Sequence, residues 1–284
     1  MKRLRTFLEM IKFEHTIFAL PFAYLGMVLA AGGWPTWGQF IWITLAMASA
    51  RTLAMAVNRA VDAALDARNP RTANRAIPRG EFSLQQTWLF AAISLAVLTL
   101  AAWMLNAFVV RLLPLAVLAL IGYSYTKRFT WLSHFILGLT DGAAAAGAWA
   151  AVAGNLSGPL PWLLWFAVTV WIGGFDLIYA CQDVDFDRRE GLYSIPARFG
   201  VAAALRLAQL CHFFTVLTLL VVGLLAPLGW PYWLGLALVC GLLAYEHSLV
   251  RPDDLSKVNL AFFTVNGYIS VIAFVGTLAA LLLR

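Results

Sequence analysis

Two short acidic stretches hold the residues best suited to chemistry. The first reads Asn58-Arg59-Ala60-Val61-Asp62-Ala63-Ala64-Leu65-Asp66. The second reads Asp176-Leu177-Ile178-Tyr179-Ala180-Cys181-Gln182-Asp183-Val184-Asp185-Phe186-Asp187. On a helix Asp62 and Asp66 share one face, as do Asp176, Asp183 and Asp187. Carboxylates at that spacing repel one another, so the arrangement is unfavourable without a cation. Magnesium takes oxygen ligands, keeps part of its water, and is commonly held by one or two carboxylates plus substrate phosphates. Two such faces across a cavity would hold two or more magnesium ions with a diphosphate between them. The expected catalytic set is Asp62, Asp66, Asp176, Asp183 and Asp187, and all but Asp176 are the expected metal ligands. Arg68, Arg71 and Arg75 follow the first stretch, and Lys127 and Arg128 lie further on. These five would take the remaining phosphate oxygens, so that charge on a leaving diphosphate is stabilised.

The elements that must position these residues follow from composition. Of the 284 residues, 62% are hydrophobic and only 12% charged, against about 25% charged in a typical soluble domain. The surplus apolar surface has to face lipid. Nine apolar runs approach the roughly 20 residues needed to span a bilayer. They lie near 15–32, 39–58, 84–105, 108–123, 134–153, 162–182, 202–226, 232–247 and 260–283. The runs are continuous rather than alternating, which excludes a β-barrel. Nothing divides the chain, so residues 1–284 are expected to form one all-α membrane domain. The stretch holding Glu9, Lys12 and Glu14 is expected to form an interfacial helix rather than a signal peptide.

The net charge of +6 is gathered in a few loops, and not in a nucleic-acid patch. One set of loops holds Lys2, Arg3, Arg5, Arg59 to Arg79, Lys127, Arg128, Arg188, Arg189, Arg198, Arg251 and Lys257; the other holds Arg111 and Arg284. By the positive-inside rule the N-terminus and the charged loops are cytoplasmic, at the plasma (inner) membrane. The acidic stretches close the second and sixth runs, which puts both on that side. Asp176 falls inside its run and needs a polar cavity or a cation.

Other polar residues lie in or near the runs. Asp141 is expected either to face an acceptor pocket or to pair with a neighbouring helix. Asp185 points away from Asp183 on a continuing helix. Glu14 and His15 would snorkel at a helix end. Glu246, His247, Asn259 and Asn266 would hydrogen-bond between helices or face the cavity. His134 and His212 read as structural. Cys181, Cys211 and Cys240 have neither disulfide nor zinc spacing and read as small apolar residues. Tryptophans near the ends of the runs read as interfacial belts.

At its acidic stretches the sequence resembles the UbiA superfamily of intramembrane prenyltransferases, over essentially its whole length. Asn58, Asp62 and Asp66 match that family's Asn-x-x-x-Asp-x-x-x-Asp motif. Asp176, Tyr179, Ala180, Gln182, Asp183 and Asp187 match its Asp-x-x-Tyr-Ala-x-Gln-Asp-x-x-x-Asp motif. The stretch ARNPRTANRAIPRG looks like the Arg-Thr-x-x-Arg-Pro stretch of the 4-hydroxybenzoate branch, although Ala76 and Ile77 stand before Pro78. KFEHTIFALPFAY looks like that branch and like the UbiA-like MqnP branch of the futalosine route to menaquinone. The resemblance implies nine spans around a central cavity with a lateral opening for a polyprenyl diphosphate. It implies ionisation of that diphosphate and electrophilic attack on an aromatic acid acceptor, in ubiquinone or menaquinone biosynthesis. It places Asn58, Tyr179 and Gln182 among the substrate-binding residues, and expects aromatic side chains to shield the carbocation. A cation or lipid transporter is the alternative. Against it, the carboxylates gather on one side and no inverted repeat is visible.

Overall fold

The computed structural model describes residues 13–284, with side chains from Leu20 onward. The long helices are α1 (Phe13–Ala31), α2 (Trp37–Val61), α4 (Leu84–Leu105), α5 (Ala107–Thr126), α6 (Ser133–Ala153), α7 (Leu160–Ala180), α10 (Val201–Leu225), α11 (Trp230–Ser248) and α12 (Asn266–Leu282). Three short helices, α3 (Ala63–Arg68), α8 (Val184–Glu190) and α9 (Ile195–Phe199), lie beyond the ends of α2 and α7. A π-helical turn, Leu260–Val265, runs directly into α12. The described residues form no strand. The expected interfacial segment and the side chains of Glu14 and His15 lie outside the described residues.

Seven helical runs are long and apolar enough to cross a membrane by length and composition. These seven lie among the described residues, and nine long helices are present in all. The described apolar part of α1, Leu20–Ala31, is shorter than a span. In α11 the central apolar run is diluted at one end by Trp230, Pro231 and Tyr232 and at the other by Tyr245, Glu246 and His247. Large apolar side chains such as Trp103, Leu118 and Leu224 face outward, as lipid requires and water would not. The chain is an integral membrane protein.

Two of the long helices, α2 and α4, begin where a side chain satisfies their first donors. Thr36 and Ser83 form capping boxes with Gln39 and Gln86. Without a hydrophobic drive between helices in lipid, small residues let backbones meet. A Cβ on Gly138 would fall 2.2 Å from the Thr169 carbonyl oxygen, and one on Gly142 would fall 2.9 Å from that of Trp165. These two glycines press α6 onto α7. Asp141, between them in sequence, is thereby fixed in the bundle interior.

The helices form a ring: α1 packs on α6 and α12, α6 on α7, α7 on α10, and α11 on α12, while α2, α4 and α5 close the other side. Helix direction then places the C-terminal ends of α2, α5 and α7 together. Contacts between loops show this directly: Tyr193 N–H donates to the Lys127 carbonyl at 2.7 Å, and Arg68 pairs with Glu190 at 2.9 Å. Both acidic stretches thus share one end of the bundle. At the opposite end, exposed Trp34, Trp37, Trp103, Trp162 and Trp230 form the expected aromatic belt.

Candidate active site

Asp62 caps the C-terminal end of α2, yet the helical path continues into α3. Asp62 N–H bonds the Asn58 carbonyl at 2.9 Å, and Asp66 N–H bonds that of Asp62 at 2.8 Å. The pair therefore stays on one face, and both carboxylates are buried. On the facing wall α7 tightens into a 3₁₀ turn, Cys181–Asp183, before α8 begins. Asp176, Asp183 and Asp187 still line one cavity with Asp62 and Asp66, of about 290 Å³. A second cavity of about 510 Å³ lies under the 69–82 loop and shares Arg59, Asp66, Arg71, Arg75 and Tyr179 with the first.

Each carboxylate has a cationic or protic partner. Asp62, 1% exposed, takes Lys127 Nζ at 2.7 Å, Arg128 Nη2 at 3.1 Å and Asn58 Nδ2 at 3.2 Å. Asp66 meets Arg75 at 2.6 Å and Arg59 at 3.9 Å. Asp183 takes a two-pronged bond from Arg71, Nε to Oδ1 at 2.9 Å and Nη2 to Oδ2 at 2.5 Å, and a third from Asn69 at 3.1 Å. Asp187 accepts from Ser194 Oγ at 2.7 Å. Burial alone would lower the Arg71 pKa, but the hydrogen bond and charge of Asp183 outweigh it and hold the guanidinium above its ordinary value.

Asp176 stands apart from the ion pairs. Its Oδ2 lies 2.7 Å from His134 Nδ1. His134 Nε2 accepts the Ile195 N–H at 3.4 Å, so Nδ1 carries the ring proton and donates to Asp176. Deeper still, Asp141 pairs with Arg51 at 3.0 Å. That pair borders an apolar slot of about 190 Å³ between α2, α4, α5 and α6.

The donor set suits magnesium. All the metal candidates are oxygen donors on a polar cavity wall. Among the described residues no three His, Cys, Asp or Glu groups converge as a preformed cage.

Residues 19–272 match the UbiA prenyltransferase family. The chain belongs to that family. It is 31% identical, over 91% of its own length and 90% of the relative's, to a protein named 4-hydroxybenzoate octaprenyltransferase from Cupriavidus necator. A protein of the same name from Xanthomonas euvesicatoria is 32% identical, over 89% of this chain and 83% of the relative. The solved apo structure of a UbiA homologue from Aeropyrum pernix K1 superposes with a TM-score of 0.85 at 32% identity, covering 94% of this chain and 98% of the other. A UbiA homologue from Archaeoglobus fulgidus, solved with DMAPP and Mg2+ bound, shares the fold at a TM-score of 0.74 and 18% identity, covering 98% and 100%. Membership makes this chain a prenyltransferase and removes the transporter alternative.

Within this UbiA member most of the expected substrate-binding residues converge: Asn58, Arg71, Arg75, Lys127 and Tyr179 line the main cavity, and Arg128 joins them through Asp62. Arg68 does not. It sits two residues past Asp66, about 200° round the helix, is 59% exposed along its side chain and pairs with Glu190. Gln182 lines only the second cavity and turns back to the Tyr179 carbonyl at 3.2 Å. Asp185 is exposed, for the same reason as Arg68: it lies two residues from both Asp183 and Asp187. Asp141 pairs with another helix, as one of its two expectations had it, and also lines the cavity.

Arg51, Arg59, Asn69 and Ser194 stand outside the motif positions and His134 reads in the sequence as structural, yet all five line the cavity. Arg51 had a signal. It is a lone arginine inside an apolar run, seven before Asn58 and eleven before Asp62, on the motif's own helix face. Asn69 and Ser194 had none, because the loops carrying them have no periodicity.

Proposed function

We propose that this protein moves a polyprenyl group from polyprenyl diphosphate to an aromatic acid, 4-hydroxybenzoate or a related hydroxy-aromatic or naphthoate acid. The product would feed ubiquinone or menaquinone formation. The observation that carries this is the meeting of both acidic stretches across one cavity rimmed by arginine and lysine. The names of the relatives support the acceptor class. The charge asymmetry of the loops supports an inner-membrane location with the acidic motifs on the cytoplasmic side. We take residues 1–284 as one functional domain.

Asp62, Asp66, Asp183 and Asp187 would hold magnesium, which supplies Lewis-acid stabilisation of charge on the leaving diphosphate. Lys127, Arg128, Arg71 and Arg75 would release their carboxylates and take phosphate oxygens, which they match in charge and, for the arginines, in planar geometry. The allylic C–O bond breaks and its electron pair leaves with the diphosphate. A ring carbon of the acceptor then gives an electron pair to the allylic carbon, and the C–C bond forms. The proton left on that ring carbon needs a base. Asp176, held by His134 through Oδ2 and lining the cavity, would take it. Arg51, a cation inside α2 on the cavity wall, would seat the carboxylate of the acceptor, with Asp141 holding it until the acid arrives.

The test is prenyl transfer by the detergent-solubilised protein, with radiolabelled geranyl or farnesyl diphosphate, magnesium, and 4-hydroxybenzoate or a dihydroxynaphthoate acceptor. A labelled lipid-soluble aromatic product is expected with one of them. Diphosphate release without product would move the acceptor to another ring. Neither product nor release from folded protein would overturn the reading.

A further inference from the structure

The π turn before α12 is held by a buried pair of polar side chains on two helices. Glu246 of α11 and Asn266 at the head of α12 are both 0% exposed. Asn266 Nδ2 donates to Glu246 Oε1 at 2.9 Å, to the Ala261 carbonyl at 3.0 Å and to the Phe262 carbonyl at 3.3 Å. The Asn266 amide thus ties the carbonyls of the turn to α11, and Glu246 fixes the amide. Burying two such groups in a lipid-embedded bundle is unfavourable unless they are paired, so their presence calls for a reason.

The reason lies one turn away. The widened turn sets Phe262 into the wall of the main cavity. Its ring centroid is 4.2 Å from Tyr179 and 5.1 Å from Phe175, and the Phe263 ring is 6.1 Å from Tyr179. The Tyr179 hydroxyl accepts Arg71 Nη1 at 2.8 Å, and Arg71 grips Asp183. A continuous chain of contacts therefore runs from Glu246 through Asn266, Phe262 and Tyr179 to the arginine that faces a metal-ligand candidate. Phe262 and Phe175 also give the cavity an apolar, electron-rich wall beside that arginine, where an allylic cation would be screened from water.

We propose that Asn266, locked by Glu246, is a positioning residue that holds Phe262 against Tyr179 and so keeps water from the carbocation. This rests on the prenyl-transfer reading. If the wall slips, water captures the cation: its oxygen bonds the allylic carbon, it loses a proton, and prenyl alcohol forms in place of prenylated ring.

The experiment compares wild type, Asn266→Ala, Glu246→Gln and Phe262→Leu, all full-length. The first readout is the ratio of prenyl alcohol to prenylated acceptor from farnesyl diphosphate. Asn266→Ala and Phe262→Leu should raise it about tenfold, with the KM for the diphosphate changing less than kcat for transfer. Glu246→Gln keeps an amide oxygen for Asn266 and should keep the wild-type ratio. The second readout is hydrogen exchange in peptides covering 258–266 and 176–183, which needs no turnover. Asn266→Ala should speed exchange in both. Wild-type ratios in Asn266→Ala and Phe262→Leu, where wild type itself makes product, would overturn the inference and leave the prenyl-transfer reading intact. If wild type makes no product, that reading fails separately, and unchanged exchange in Asn266→Ala would remove the latch as well. Should Asn266→Ala not fold, Phe262→Leu, which leaves the latch whole, decides the outcome by its ratio.

Discussion

Arg71 and Asp183 are joined by two parallel hydrogen bonds, Nε to Oδ1 at 2.9 Å and Nη2 to Oδ2 at 2.5 Å, between the 69–82 loop and the end of α7. A guanidinium fork matches a carboxylate or a phosphate equally well. The same geometry that closes the loop over the cavity can therefore be handed to a diphosphate. A lysine keeps the charge and loses the fork. Arg71→Lys is expected to raise the KM for farnesyl diphosphate about tenfold, with kcat within threefold of wild type. Initial rates against diphosphate concentration will show it, and an unchanged KM would take Arg71 out of the binding site.

Lys127 and Arg128 both lie on Asp62, which is almost fully buried. Removing Lys127 leaves Arg128 and Asn58 on the carboxylate, so the fold should survive. What is lost is one phosphate partner. Lys127→Ala should weaken apparent diphosphate affinity about five- to twentyfold with the melting temperature nearly unchanged. An affinity equal to wild type would exclude Lys127 from the site.

Asp62 and Asp183 stand on opposite walls, and each would hold metal rather than substrate alone. Asp62→Ala and Asp183→Ala are expected to lose at least a hundredfold in turnover while remaining inserted and folded. Stripping membranes with EDTA should abolish transfer, and added magnesium should restore it. Full turnover after EDTA treatment would contradict metal dependence, and near-normal rates in either variant would remove that carboxylate from the metal site.

Much of this site was legible because charge is scarce in a membrane chain. Fourteen acidic residues stand in 284, so two clusters at helical spacing could not hide, and the order of the apolar runs was enough to bring them to one end. Spacing also separated Asp183 and Asp187 from Asp185. It failed where the chain leaves the helix. Arg71 and Arg75 reach the cavity because the loop after Asn69 turns back over it, a path with no period to read, whereas Arg68, still on α3, points away from Asp66. His134 gave no sign of its place beside Asp176, since 42 residues separate them and only the packing of α6 on α7 joins them. Asn266 belonged to no motif, and the π turn that gives it a purpose has no period to read.

Arg51 and Asp141 face each other at 3.0 Å in the deep part of the cavity, each side chain 17% exposed. A pair so placed adds little stability compared with an apolar pair of similar volume, so its presence points to use. If Arg51 receives the carboxylate of the acceptor, Arg51→Gln should raise the KM for 4-hydroxybenzoate about thirtyfold, while the KM for farnesyl diphosphate stays within twofold. Loss of Arg51 also leaves Asp141 without its cation, and general damage to the bundle could mimic weaker acceptor binding. A neutral acceptor separates the two. Wild type should prefer 4-hydroxybenzoate over 4-hydroxybenzamide in kcat/KM, and in Arg51→Gln that preference should collapse towards unity, because no cation is left to meet the carboxylate. Damage to the bundle would lower both values together and leave their ratio where it was, and that result would remove Arg51 from the acceptor site.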